Sequence, residues 1–171
     1  MTIKNMLVPV GDIERDEGAI GTALVLSQEF SGHADCMFLG GDVTDVLPTA
    51  AMGLFESVQV GIKQEYEQDR DQKQTRARLR FDAMLEERKV EYRDLALPAE
   101  LPSASWEVAS GLASEIVAVR GGAYDMVVVG RPVRDQTTVG ELAAEAALFR
   151  TGRPVLIAPP ETPKSSGEAV V

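Results

Sequence analysis

The sequence predicts an α/β fold: one five-stranded parallel sheet with helices on both faces, a Rossmann-like sandwich. Three observations predict it. Short apolar runs recur along the chain ("MLVPV", "DCMFL", "DMVVVG", "PVLIAP"), and such runs suit strands buried on both faces. Segments of helical periodicity lie between them. Glycine or proline closes most runs. The resulting order, β-α-β-α-β-α-β-α-β, calls for right-handed crossovers and a doubly covered sheet.

The elements follow in chain order. Ile3–Val10 ends in the first buried strand, and Gly11 closes it. Ala19, Ala23, Leu26 and Phe30 have helical spacing, so a helix is expected over roughly Gly18–Phe30. Ser31 and Gly32 break it, and Asp35–Leu39 is the second strand. Asp42–Gly61 is a connection, in which "LPTAAMGLF" reads as a docked loop or short helix. A long helix is expected from about Lys63 to Lys89. Its second half carries an apolar stripe at Ala77, Phe81, Met84 and Leu85. Its charged first half is expected to project into solvent or lie on a partner. Val90–Leu97 alternates and reads as a strand near the sheet edge. "PAELPSAS" reads as a loop. Trp106–Arg120 reads as a helix with Val108, Leu112, Ile116 and Val119 on one side, Ser105 as cap and Glu107 in its first turn. "DMVVVG" is the next strand, Val139–Arg150 the last helix and Pro154–Pro159 the last strand.

Composition narrows the function. A chain of 171 residues suits one domain, placed at residues 1–160, with a polar tail at 161–171. No apolar run approaches the roughly 18 residues that span a bilayer, and residues 1–11 lack the layout of a signal peptide. Cys36 is the single cysteine, which rules out an internal disulfide framework. A cytosolic protein without membrane attachment is expected. The net charge of −10 repels nucleic acid. The basic cluster Arg76, Arg78 and Arg80 is interspersed with acids and reads as a solvated helix face.

Ligands of such sheets sit outside the carboxyl ends of strands, where strand order reverses. Two loops carry the candidates. After the first strand, Val10, Gly11 and Asp12 offer backbone and a carboxylate to a ribose or an adenine amino group. Glu14, Asp16 and Glu17 stand nearby and read as solvation and helix N-terminal charge. After "DMVVV", Gly130 permits close backbone approach, and Arg131 and Arg134 are phosphate partners. The helix start argues the other way. Thr138 and Glu141 fit a capping box, which satisfies the free amides from within the chain. A carboxylate about 4 Å from an incoming anion repels it by about 4 kcal/mol at an intermediate effective dielectric.

His33 and Cys36 are close in sequence, but an unpaired cysteine in a strand reads as packing. One histidine and one cysteine make no zinc site. No nucleophile elbow, Walker loop or dinucleotide fingerprint is present, and no nucleophile–base pair is legible. The chain is therefore read as not an enzyme.

"NMLVPVG", "GAYDMVVVGRP" and "FRTGRPVLIAPP" resemble the first, fourth and last strands of the universal stress protein family. The resemblance spans roughly Ile3–Pro160 and implies a five-stranded parallel sheet and dimerisation. The family's first strand normally ends in Val-Pro-x-Asp-Gly-Ser, and nucleotide-binding members carry an Asp after that strand and G-x-x-G-x(9)-G-[ST] after the fourth. Here Gly11 holds the Asp position and Asp12 comes one step late. Gly130 matches the first glycine, Val133 replaces the second, and Glu141-Leu142 stands for the final pair. The resemblance implies a stress-response binding or signalling module with a degenerate nucleotide loop and no cofactor. The alternative is an ATP- or AMP-binding stress protein with weak ATPase activity. The expected partner is a second copy, or a second similar domain if the 161–171 tail is a linker.

Overall fold

The computed structural model describes residues 3–40, 56–94, 101–131 and 138–165. Six parallel strands form one sheet: β1 Asn5–Val10, β2 His33–Leu39, β3 Glu91–Tyr92, β4 Ser103–Ala109, β5 Met126–Val129 and β6 Val155–Ile157. Their order across the sheet is β3-β4-β2-β1-β5-β6. Among the described residues four α-helices lie between them: α1 Ile13–Phe30, α2 Glu56–Arg88, α3 Ala113–Arg120 and α4 Val139–Arg150. The alternation of strand residues divides the core in two. Met6, Val8, Val10, Cys36 and Phe38 face α1 and α2, with Phe81 and Met84 among their neighbours. Leu7, Met37, Leu39, Val127 and Val129 face α3 and α4. Ala143, Ala144, Ala146 and Ala147 let α4 approach the sheet closely.

The sixth strand corrects the sequence reading. "SASWEVA" was expected as loop and helix start, yet Ser103–Ala109 runs parallel to β2 in unbroken register from His33↔Ser103 to Leu39↔Ala109. Trp106 stacks on Phe38 at 6.2 Å and meets Phe81 at 5.1 Å. These contacts need the alternating geometry of a strand. The apolar residues at 108, 112, 116 and 119 imitate one helical stripe because they span a strand, a turn and a short helix. Gly111, at φ 127°, makes the turn that only glycine adopts without strain. Glu107, expected in a helix's first turn, lies on β4 and pairs with Arg120 at 2.6 Å. The expected strand Val90–Leu97 is reduced to Glu91–Tyr92, and residues 95–97 lie outside the described residues. So do residues 41–55 with "LPTAAMGLF", and 166–171 of the tail.

The remaining elements keep their expected places. Helix α1 begins five residues earlier than predicted, because Asp12 caps it. Its last carbonyls, on Phe30 and Ser31, accept from Lys4 Nζ at 2.6 and 3.0 Å. The chain after β6 crosses α1 where it has no side chains: a Cβ on Gly18 would collide with the Pro159 and Pro160 carbonyls, and one on Gly21 with Thr162. The expected tail thus begins packed against the domain. Of the clustered arginines of α2, Arg76 is exposed as expected, while Arg78 and Arg80 are partly covered. Arg76 reaches Glu14 at 3.3 Å, Arg80 reaches Glu17 at 2.7 Å, and Arg78 lies over Tyr92 at 4.8 Å.

Candidate functional site at the β1–β5 crevice

Strand order reverses between β1 and β5, which makes this the place where such a sheet takes a ligand. The crevice has a simple origin. Pairing of β1 with β2 continues to Val10↔Phe38, but pairing with β5 ends at Leu7↔Val127. Pro9, which has no N–H to donate, stands two residues beyond that last pair. Past it the two strands part, and Gly11 and Gly130 line the opening.

A side chain of the protein fills it. Asp16 lies one turn into α1 and is 6% exposed. Its Oδ2 accepts the Gly11 amide at 2.8 Å and the Asp12 amide at 3.0 Å. Its Oδ1 occupies the space a side chain at residue 130 would need, since a Cβ there would stand 2.5 Å from it. Gly140, at the start of α4, faces the same oxygen at 3.9 Å by the same measure. Burial raises the Asp16 carboxyl above its ordinary value, and the two amides oppose that shift. The carboxylate thus takes hydrogen bonds that a bound anion would otherwise receive.

A second carboxylate guards the helix start. Glu141 N donates to Thr138 Oγ1 at 3.2 Å, and Thr138 N donates to Glu141 Oε2 at 3.2 Å, which is the capping box expected from sequence. A third, Asp12, accepts from the Glu14 amide at 3.0 Å and caps α1. Three acids are therefore committed to backbone amides around one crevice.

The predicted site residues divide accordingly. Gly11 and Gly130 do come together at the crevice, with Asp16 between them. Asp12 lies beside it, its carboxylate engaged as a cap. Val10 is fully buried in the core under α1, so its side chain is not available to a ligand. Arg131 is exposed at the end of β5, and Arg134 lies outside the described residues. Sequence reasoning passed over Asp16 as one of four acids. The signal was its spacing: four residues after Asp12 is one helical turn, which returns a side chain to the loop that opens the helix.

His33 and Cys36 point to opposite faces of β2, so they form no pair. Cys36 is fully buried, and burial drives its thiol well above the usual range. His33 instead meets two serines, Ser103 at 2.9 Å and Ser105 at 3.0 Å. Sequence reasoning missed this pairing because it placed those serines in a loop. The Ser105 hydroxyl donates to Asp35 Oδ1 at 2.7 Å, so its proton is already given to a carboxylate rather than to His33. This is not a nucleophile activated by a base. Among the described residues no group of three or more His, Cys, Asp or Glu is placed to hold a metal ion. Among them, too, no helix is long and apolar enough to cross a membrane.

A parallel sheet reversing at β1–β5, with glycines at both strand ends, defines the open, doubly wound α/β class. Solved structures give that class a particular form. The chain is similar to universal stress protein UspA from Lactobacillus plantarum, with 11% identity, a TM-score of 0.62, and 93% of this chain and 99% of that chain covered. It is similar to the hypothetical protein MJ0577, whose structure was used to assign its biochemical function (12% identity, TM-score 0.55, 92% and 96% covered). It is also similar to a universal stress protein solved in complex with cAMP (12% identity, TM-score 0.50, 94% and 99% covered). The chain has the fold of the universal stress proteins. No family model matches it, and no curated protein matches it at a significant level.

Proposed function

We propose that this protein is a non-catalytic binding and signalling module of the stress-response type, in which the nucleotide edge is closed by the chain's own carboxylates. The observation that carries this reading is Asp16, buried between Gly11 and Gly130 with both loop amides on its Oδ2. An incoming phosphate would have to displace that carboxylate, then approach Glu141 at the α4 start. Each step is electrostatically unfavourable at short range. The protein would act in the cytoplasm without a cofactor, through protein contacts.

The partner proposed is a second copy, or a second similar domain joined through the polar tail. Support comes from the β6 side. Ile157, on the last strand of the sheet order, is 50% exposed, and Phe149 near the end of α4 is 80% exposed. The second reading, an ATP- or AMP-binding protein with weak ATPase activity, draws on Gly11 and Gly130 at the crevice and on the fold neighbour solved with cAMP. The two readings separate in one preparation. Purified protein is heat-denatured and the supernatant analysed for nucleotide, alongside an ATP hydrolysis assay. The first reading predicts neither nucleotide nor turnover, and stoichiometric nucleotide would replace it with the second.

A further inference from the structure

Backbone donors from two segments converge on one carboxylate at the crevice. Gly11 N and Asp12 N donate to Asp16 Oδ2 at 2.8 and 3.0 Å. A third donor stands beside them. The Gly140 amide lies 3.1 Å from the point a Cβ on Gly11 would take. The capping box engages the Thr138 and Glu141 amides and leaves that of Gly140 out. The Asp16 carboxylate is 6% exposed yet only half engaged. Among the described residues its Oδ1 takes no hydrogen bond, and it faces the gap left by Gly130 and Gly140. Gly11, Gly130 and Gly140 are each partly exposed, so the crevice reaches solvent.

We propose that the crevice is an oxyanion site that carries its own occupant: Asp16 stands in for a small tetrahedral anion of the inorganic phosphate type, and its contact with the Gly11 and Asp12 amides holds the site shut. The inference rests on the reading that the chain's own carboxylates close this edge, and it singles out one of the three. Asp12 and Glu141 accept from amides outside the set, those of Glu14 and Thr138. Removing either would uncap a helix without freeing Gly11 N or Asp12 N. Asp16 holds both.

A phosphate suits these donors better than the carboxylate does. Convergent backbone amides form concavities that take anions. Tetrahedral oxygens can meet three amides separately, whereas Asp16 places two amides on one oxygen. The glycines supply room. A Cβ at Gly130 would stand 2.5 Å from Oδ1, so without the Asp16 side chain the gap extends into that empty space. One wall is unfavourable: the Arg15 carbonyl oxygen lies 3.2 Å from the same point. The nearby charges oppose each other, since Asp12 repels an anion placed here and Arg15 attracts it. An external phosphate meets that same field and the Asp16 charge as well, at short range. The wild type therefore excludes the anion, and a chain without this carboxylate admits it.

The test follows the Gly11, Asp12 and Gly140 amides of nitrogen-15-labelled protein through a titration with inorganic phosphate, at neutral pH and constant ionic strength. In Asp16→Ala all three are expected to shift together and saturate, with binding at least about tenfold tighter than any response of the wild type. Asp16→Asn, which still offers the amides an oxygen, is expected to stay shut. A folded alanine variant whose amides ignore phosphate overturns the proposal, and so does equal binding by the wild type or by Asp16→Asn. Should the alanine variant not fold, the wild type decides without phosphate. As pH falls, the three amides are expected to move with the Asp16 carboxyl carbon at one midpoint, and amides that move independently of it overturn the proposal. Failure of the earlier reading looks different: nucleotide released by the wild type removes that reading, whereas silent amides in Asp16→Ala remove this one alone.

Discussion

Asp16 is a charge held where charge is costly. Burial raises its carboxyl above the ordinary value of 3.8. A raised acid stabilises the fold fully below its unfolded value, and that contribution is lost as pH rises through the folded value. Its contribution to stability therefore falls as pH rises, and its bonds to the Gly11 and Asp12 amides are what it supplies in return. Two substitutions separate these effects. Asp16→Asn keeps an oxygen for the Gly11 and Asp12 amides and is expected to be at least as stable as wild type at pH 7. Asp16→Ala leaves both amides without an acceptor and is expected to cost about 2 kcal/mol in denaturant unfolding. Gly130→Ala, whose Cβ would meet Asp16 Oδ1 at 2.5 Å, is expected to cost about 1–3 kcal/mol alone and distinctly less in the Asp16→Ala background. Equal costs in both backgrounds would show that Asp16 does not fill the crevice. The sequence exposes the four acids but not their division of labour. That division depends on which amides the loop turns toward α1, a tertiary fact.

At the scale of elements, most of the chain was legible because its signals are local. The capping box at Thr138 and Glu141 was read from four residues and is present. Thr138→Ala is expected to cost about 1 kcal/mol, measured by thermal unfolding. A shift of zero would mean that the cap contributes nothing to α4. Strand β4 was not legible. Its serines look like loop residues until His33 stands beside them, and Trp106 looks like a helix residue until Phe38 and Phe81 stack on it. Those partners lie 25 or more positions away in sequence. Helix periodicity then ran backward from α3 through Gly111, because one apolar stripe satisfies both periods over so short a stretch.

For the whole molecule, the order of elements was enough to give the parallel sheet, which follows from connection rules, and to narrow the ligand end to the loops after Val10, Leu39 and Val129, but the reversal between β1 and β5 comes from the structure. The contents of the crevice come from it too, because they rest on Pro9 ending one ladder and Asp16 folding back into the gap. Assembly is a property of the same scale. Sedimentation velocity is expected to show a dimer at micromolar concentration. Asp introduced at both Ile157 and Phe149 is expected to shift it to monomer without loss of fold, whereas a monomeric wild type would remove the β6 edge as the contact. The central claim is that the chain's own carboxylates close its nucleotide edge, and titration calorimetry with Mg-ATP tests it most directly. The account predicts no binding heat with the wild-type protein up to millimolar nucleotide. Micromolar binding would contradict it, because ATP would then have displaced Asp16 from the Gly11 and Asp12 amides or found another site on the molecule.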